Sequence, residues 1–220
     1  MGIKVLFIYP NTYGMNMIPP AIATFSAILK NEGHKVQVFD TTYYSTDHGN
    51  NSDGTKEQGL NVVPFSEELK KRGMIPKKTR WRDDVKEQIK NYKPDLIALS
   101  STEDMWELGI YVLNEIKEFK IKNNIPVIAG GVFSTFAPDL CIKYPYVDMV
   151  CVGEGENAIV NLSNKLSKKQ NYFDVTYPWV RLPAGSTQKT GLTKPGAITN
   201  IPTITDLVLF GDYSFIRSIR

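Results

Sequence analysis

Residues 125–156, IPVIAGGVFSTFAPDLCIKYPYVDMVCVGEGE, decide the fold. Pro126-Val127-Ile128-Ala129 is an apolar run too short for a helix, and it stops at Gly130-Gly131. Val147-Asp148-Met149-Val150-Cys151-Val152 is a second such run, and it stops at Gly153-Glu154-Gly155-Glu156. Short apolar runs bounded by glycine suit strands buried on both faces of a parallel sheet. The stretch reads strand, glycine turn, short helix, strand, glycine turn. Successive parallel strands finish on the same rim, so both glycine turns lie at the carboxyl ends of the strands. That rim is where open α/β sheets bind ligands.

Outward from this stretch, the amino terminus opens with a buried strand, Ile3 to Tyr9, ended by Pro10. Asn11-Thr12-Tyr13-Gly14-Met15-Asn16-Met17 is a loop on the same rim as the glycines. Pro19-Pro20 starts a helix through Glu32, with Ile22, Phe25, Ile28 and Leu29 on one face and Gly33 as its stop. His34 reads as a surface turn residue on the opposite rim, before a second strand over Val36 to Phe39 that Asp40 closes. Thr41 to Arg80 is polar and shows no sustained period, as a functional or mobile loop does. Ser66 to Lys71 is a plausible short helical piece within it, and His48 reads as a solvated loop residue.

A helix is predicted from Trp81 or Arg82 to Tyr92, then a third strand, Leu96 to Ser100. Ser101-Thr102-Glu103 caps a helix running from about Asp104 to Lys120. After Glu154 a last helix carries Ile159, Leu162 and Leu166 to about Ser167. The order is β-α-β-α-β-α-β-α-β with right-handed crossovers, a doubly wound five-stranded parallel sheet of flavodoxin-like or Rossmann-like type. From Asn171 the character changes. Phe173 to Leu182 reads as extended, with a turn at Gly185-Ser186, and an apolar tail follows from Thr203 to Arg220. The expected division is a binding domain over 1–170 and an extended connector over 171–220, leading toward a further domain.

Bulk properties exclude several classes. The chain has 220 residues, room for one α/β domain and an appendage. Its net charge of +3 comes with no basic stripe, which argues against nucleic acid. Neither a signal peptide nor an apolar run long enough to span a bilayer is present in the sequence, so a cytoplasmic chain without membrane association is expected. Cys141 and Cys151 lie in apolar surroundings and read as buried free thiols.

What the glycine rim binds is narrowed by position. A dinucleotide domain needs glycines between the first strand and first helix, to bring a pyrophosphate to the helix terminus. That loop has Gly14 alone, and Asp40 by itself is weak support. A flavodoxin phosphate loop would carry several Ser and Thr there, where only Thr12 stands. A receiver domain would place paired carboxylates after the first strand and Asp at the end of the third. The chain has Tyr9-Pro10 and Ser100.

The ordered set Lys4-Val5-Leu6-Phe7-Ile8-Tyr9-Pro10, Pro19-Pro20-Ala21-Ile22-Ala23, Leu29 to Val36 (LKNEGHKV), Pro94 to Ser100 (PDLIALS), Pro126 to Gly131, Thr135, Pro138 and Val152 to Glu156 resembles one family. It is that of the amino-terminal cobalamin-binding domains of radical S-adenosylmethionine enzymes, and the match covers about residues 3–167. The tail resembles the connector between that domain and the catalytic barrel. The resemblance implies a corrin ring lying across the carboxyl ends of the strands. Its nucleotide tail would descend near Ser100 and Gly130-Gly131. The candidate cofactor-binding residues are Pro10, Asn11, Tyr13, Met15, Ser100, Ser101, Thr102, Glu103, Gly130, Gly131, Val132, Phe133, Gly153, Glu154, Gly155 and Glu156. The expected partners are cobalamin and a radical domain in cis, with S-adenosylmethionine and a four-iron four-sulfur cluster held in that other domain.

Three departures shape the expectation. Corrinoid proteins that ligate cobalt through histidine carry DxHxxG after the first strand, and residues 11–17 contain no His, so ligation by a protein histidine is not expected. Tyr13, Asn11 or Met15 are left as residues that could face the cobalt. Phe133 stands where the family commonly has His. Finally, two cysteines cannot supply the CxxxCxxC that holds the cluster, so no radical chemistry is expected from this chain alone. The intact enzyme would be methyltransferase-like. A competing expectation is a non-enzymatic α/β module that has lost cobalamin, its pocket filled by side chains such as Phe133 and Trp106.

Overall fold

The computed structural model describes residues 2–12, 19–46, 71 and 77–172, and the backbone of 178–181 and 187–189. Its parallel strands are β1 (Lys4–Tyr9), β2 (Lys35–Asp40), β3 (Leu96–Ser100), β4 (Val127–Gly130) and β5 (Met149–Cys151). They pair in the order β2-β1-β3-β4-β5. Among the described residues two further strands complete a seven-stranded sheet, β6 (Pro178–Arg181) antiparallel to β5 and β7 (Thr187–Lys189) antiparallel to β6. The expected five-stranded parallel sheet is present, and part of the expected connector extends it.

Strand alternation divides the core in two. Leu6, Ile8, Ile97, Leu99, Val127, Ala129 and Val150 face one side. There they pack on helices α2 (Trp81–Tyr92) and α3 (Glu103–Glu115). Val5, Phe7, Leu96, Ala98, Ile128, Met149 and Cys151 face the other side. They meet α1 (Pro20–Asn31) and the long helix Glu156–Ser167. Helices on both faces and strands buried on both sides satisfy the doubly wound reading.

Local differences have local causes. The helix expected over 104–120 is two, α3 and α4 (Lys117–Lys122), because Ile116 leaves helical geometry with φ −105° and ψ 6°. Thr102 is the residue before α3, but it makes no side-chain capping bond, and the Ser101 hydroxyl donates instead to the Thr102 carbonyl. The segment between β4 and β5 folds as α5 (Val132–Phe136) and α6 (Pro138–Cys141). The helix Glu156–Ser167 is therefore α7. The helical piece expected at 66–71, His48, the turn at Gly185-Ser186 and the apolar tail lie outside the described residues, Lys71 excepted.

His34 is not a surface residue: only 4% of it is exposed. Its Nδ1 accepts the Ile3 N–H at 3.1 Å, which places the ring proton on Nε2, facing Asn164 Oδ1 at 3.2 Å. Asn164 Nδ2 in turn donates to Glu32. Burial pushes the His34 pKa down, against smaller opposing effects of Asn164 and Glu32.

Candidate functional site

The sheet order reverses direction between β1 and β3, and the crevice at such a point is the ligand site of open α/β sheets. On the α1 and α7 side of this crevice the strands end in small residues. Alternation brings Ala98 and Ser100 of β3, Gly130 of β4 and Cys151 of β5 to one face. Adjacent small side chains leave space that α1 and α7 do not fill. The result is a small, partly open cleft of about 150 Å³, less than a whole small-molecule site usually encloses. Its floor is apolar, formed by Phe7, Phe25, Ile128 and Ile159, and its mouth carries Ser100, Glu154 and Glu156.

The two glycines of the first turn have different tasks. Gly131 adopts φ +103° and ψ −173°, and a Cβ there would lie 2.6 Å from the Ser101 carbonyl oxygen. Its glycine is required by the backbone, whether or not a ligand is present. Gly130 has no such constraint: a Cβ there would meet only the Cys151 Cβ, at 3.8 Å. A side chain on Gly130 would enter the cleft, so Gly130 is the glycine that keeps the cleft open.

The second glycine turn is tied to the first. The Thr135 hydroxyl donates to the Gly131 carbonyl at 2.9 Å and accepts the Gly153 N–H at 3.1 Å. Gly153, at φ +79°, turns the chain out of β5, and Gly155 lies under the Phe25 ring, leaving no room for a Cβ. Cys151 is 7% exposed, and its thiol is pushed up to about 12, first by burial and then by the carboxylates of Glu156 and Glu154. It is a neutral, apolar wall group at physiological pH, and no thiolate is available for nucleophilic work.

Of the candidates named from sequence, Ser100, Gly130, Gly131, Gly153, Glu154, Gly155 and Glu156 come together around this cleft. Tyr13 and Met15 lie outside the described residues. Pro10, Ser101, Thr102, Glu103 and Val132 are not among the residues lining it. Nor is Asn11, which is 4% exposed and engaged elsewhere. Its backbone N–H donates to Thr41 Oγ1 at 2.8 Å and its amide to Thr42 Oγ1 at 3.0 Å. Asp40 is likewise occupied, accepting the N–H and hydroxyl of Thr42. Phe133 packs on the other face of the sheet, its ring 5.1 Å from that of Trp106. These two rings do not fill the cleft, contrary to what the competing expectation required.

Phe7, Ala21, Phe25, Ala98, Leu99, Ile128, Cys151 and Ile159 line the cleft but were not among the candidate binding residues. The signal for the strand residues was available: counting back by twos from Ser100 and Gly130 gives Ala98 and Ile128. The helix residues depend on docking across the sheet, which no local pattern states.

Residues 67–163 match the family model of the B12 binding domain. No curated protein matches the chain. Among solved structures, the chain is similar to the radical S-adenosylmethionine methyltransferase TsrM from Kitasatospora setae, described with cobalamin and a four-iron four-sulfur cluster bound. The TM-score is 0.61 at 16% identity, over 86% of this chain and 31% of that one. It is also similar to the cobalamin-dependent S-adenosylmethionine radical enzyme OxsB with aqua-cobalamin and S-adenosylmethionine bound. There the TM-score is 0.62 at 18% identity, over 94% of this chain and 25% of that one. At these identities the likeness to the two enzymes is one of fold, and the chain spans about a third or less of each. The domain match bears out the cobalamin-binding part of the resemblance drawn from the sequence over residues 67–163, and the solved structures bear out its fold.

Proposed function

We propose that this chain is the cobalamin-binding module of a radical S-adenosylmethionine enzyme, holding the cofactor across the carboxyl ends of β1, β3, β4 and β5. The observation that carries the reading is the cleft beneath Ser100 and Gly130. It is hollow because the strand ends are small, apolar at its base and polar at its lip, as the nucleotide tail of a corrinoid requires. Glu154, Glu156 and Ser100 would meet the sugar hydroxyls of that tail, and Phe7, Phe25, Ile128 and Ile159 its heterocyclic base. Gly130 leaves the passage free, and the Thr135 bridge holds the two glycine turns at a fixed separation. The site is preorganised by hydrogen bonds already made within the chain, which lowers the ordering cost of binding.

We further propose that no protein histidine ligates the cobalt. His34 is buried at the opposite rim, with Nδ1 engaged by Ile3. The sequence contains two His in all, and the other, His48, stands outside any DxHxxG pattern. In the intact enzyme the cobalamin would supply a transferable methyl group, and the radical domain, in cis, would hold S-adenosylmethionine and the iron-sulfur cluster. The part of this chain would be to bind, orient and keep water from the tail. The division into a cofactor domain at 1–170 and a connector at 171–220 belongs to the same proposal. So does a soluble, cytoplasmic setting; among the described residues no helix is long and apolar enough to cross a membrane.

The test is titration with hydroxocobalamin and methylcobalamin, followed by gel filtration and visible absorbance. Corrinoid is expected to remain with the protein, its lower base displaced from cobalt and no histidine nitrogen in its place. Failure to retain either corrinoid would overturn the reading. A histidine-ligated spectrum would overturn the second part alone.

A further inference from the structure

The floor of the cleft differs from its lip in one chemical respect: its side chains offer almost nothing to hydrogen-bond. Phe7 and Phe25 stack with centroids 6.1 Å apart at 24°, and Ala98, Ile128 and Ile159 complete the wall. Among the side chains at this depth, Cys151 alone carries a polarisable hydrogen-bonding group, a weak one. The carboxylates and the Ser100 hydroxyl stand at the mouth. A planar group entering this space loses its water and meets no strong hydrogen-bonding side chain on the floor.

Building on the cobalamin reading above, we propose that this floor sorts corrinoids by the polarity of their lower base, admitting benzimidazole-type bases and disfavouring purines. Corrinoids share the ring and the nucleotide loop but differ in that base. Dimethylbenzimidazole presents two methyl groups and a hydrocarbon edge. Adenine presents an exocyclic amine and two further ring nitrogens, which would find no side-chain partner on Phe7, Phe25 and Ile159. An unpaired buried donor or acceptor weakens binding by roughly 10-fold to 100-fold. The residues that decide are Phe25, Ile128, Cys151 and Ile159, which set the chemistry of the floor.

The experiment compares equilibrium binding of three corrinoids to the full chain. These are cobalamin, pseudocobalamin (adenine as lower base) and cobinamide (no nucleotide). Cobalamin is expected to bind about 10-fold or more tightly than pseudocobalamin. Cys151→Ser, which sets a stronger hydrogen-bonding group at nearly the same volume, is expected to shrink that ratio about threefold or more. Equal affinities for cobalamin and pseudocobalamin, both exceeding cobinamide, would overturn base selection while leaving the cofactor reading intact. Cobinamide binding as tightly as cobalamin would show that the cleft does not hold the tail, and would also overturn the inference. Binding of none of the three would remove both readings together.

Discussion

The two rims of the sheet are built on opposite plans. At the amino ends of the strands, backbone N–H groups are claimed by side chains from elsewhere in the chain. Asp95 accepts the Lys4 N–H at 2.8 Å, Asp148 the Val127 N–H at 2.8 Å and His34 the Ile3 N–H at 3.1 Å. Asp148 also takes the Lys120 ammonium at 2.9 Å. At the carboxyl ends of β3, β4 and β5 the residues are Ser100, Gly130 and Cys151, and a cleft opens between them and the helices. One rim has its strand-end N–H groups tied by long-range polar bonds, and at the other small residues open an apolar-floored cleft. Stability and ligand access are thus assigned to different ends of the same strands, and substitutions can separate them.

The largest expected effect is at Gly131, which belongs by position to the open rim but by geometry to the scaffold. Gly131→Leu is expected to lower unfolding stability by on the order of 3 kcal/mol, from a disfavoured backbone conformation and a clash with the Ser101 carbonyl. Urea denaturation measures it. Near-normal stability would mean that the turn can rearrange, and that the contrast between the two glycines is false. Gly130→Leu is the complement. It is expected to leave the denaturation midpoint within error of the parent while weakening cobalamin binding about 100-fold, equal to about 2.7 kcal/mol. Retained affinity would place the tail elsewhere.

At the closed rim, Asp148→Ala leaves the Val127 N–H and the Lys120 ammonium without their acceptor. The expected loss is about 1.5 kcal/mol of stability with no change in corrinoid affinity. A change in affinity with intact stability would break the separation of rims from the other side.

How much of this contrast could be read in the sequence depends on how local its causes are. Strands β3 and β4 and the glycine turns were legible, because short apolar runs and glycine are local signals. The distinct tasks of Gly130 and Gly131 were not, since they depend on where Ser101, just past the neighbouring strand β3, lies. The cleft floor was half legible: alternation gives Ala98 and Ile128, whereas Phe25 and Ile159 enter only when α1 and α7 dock. The break at Ile116 leaves no mark, because the apolar period continues through it. His34 misled for the same reason of distance. After Gly33 it looks like a turn residue, and its partner Asn164 is 130 residues away.

That His34 tie supplies the smallest and sharpest comparison, because the two rims carry titrating groups of opposite sign. Burial lowers the His34 pKa below its ordinary 6.5, so in acid the unfolded chain takes up the proton first. Its contribution is complete above about pH 6.5 and is lost as pH falls below that value, with a slope no steeper than about 1.4 kcal/mol per unit. Asp40, at the carboxyl end of β2, is raised above its ordinary 3.8 by burial, against hydrogen bonds from Thr42 and the nearby Lys77 charge. Here the folded chain holds its proton longer, so stability rises as pH falls into the window above 3.8. His34→Gln keeps an acceptor for Ile3 but does not titrate, and is expected to flatten the loss below pH 6.5. Asp40→Asn is expected to steepen the net acid loss by removing the opposing gain. Denaturation midpoints of the parent and both variants between pH 4 and 8 measure the pair. Identical pH profiles for parent and His34→Gln would mean that the closed rim does not depend on a neutral imidazole.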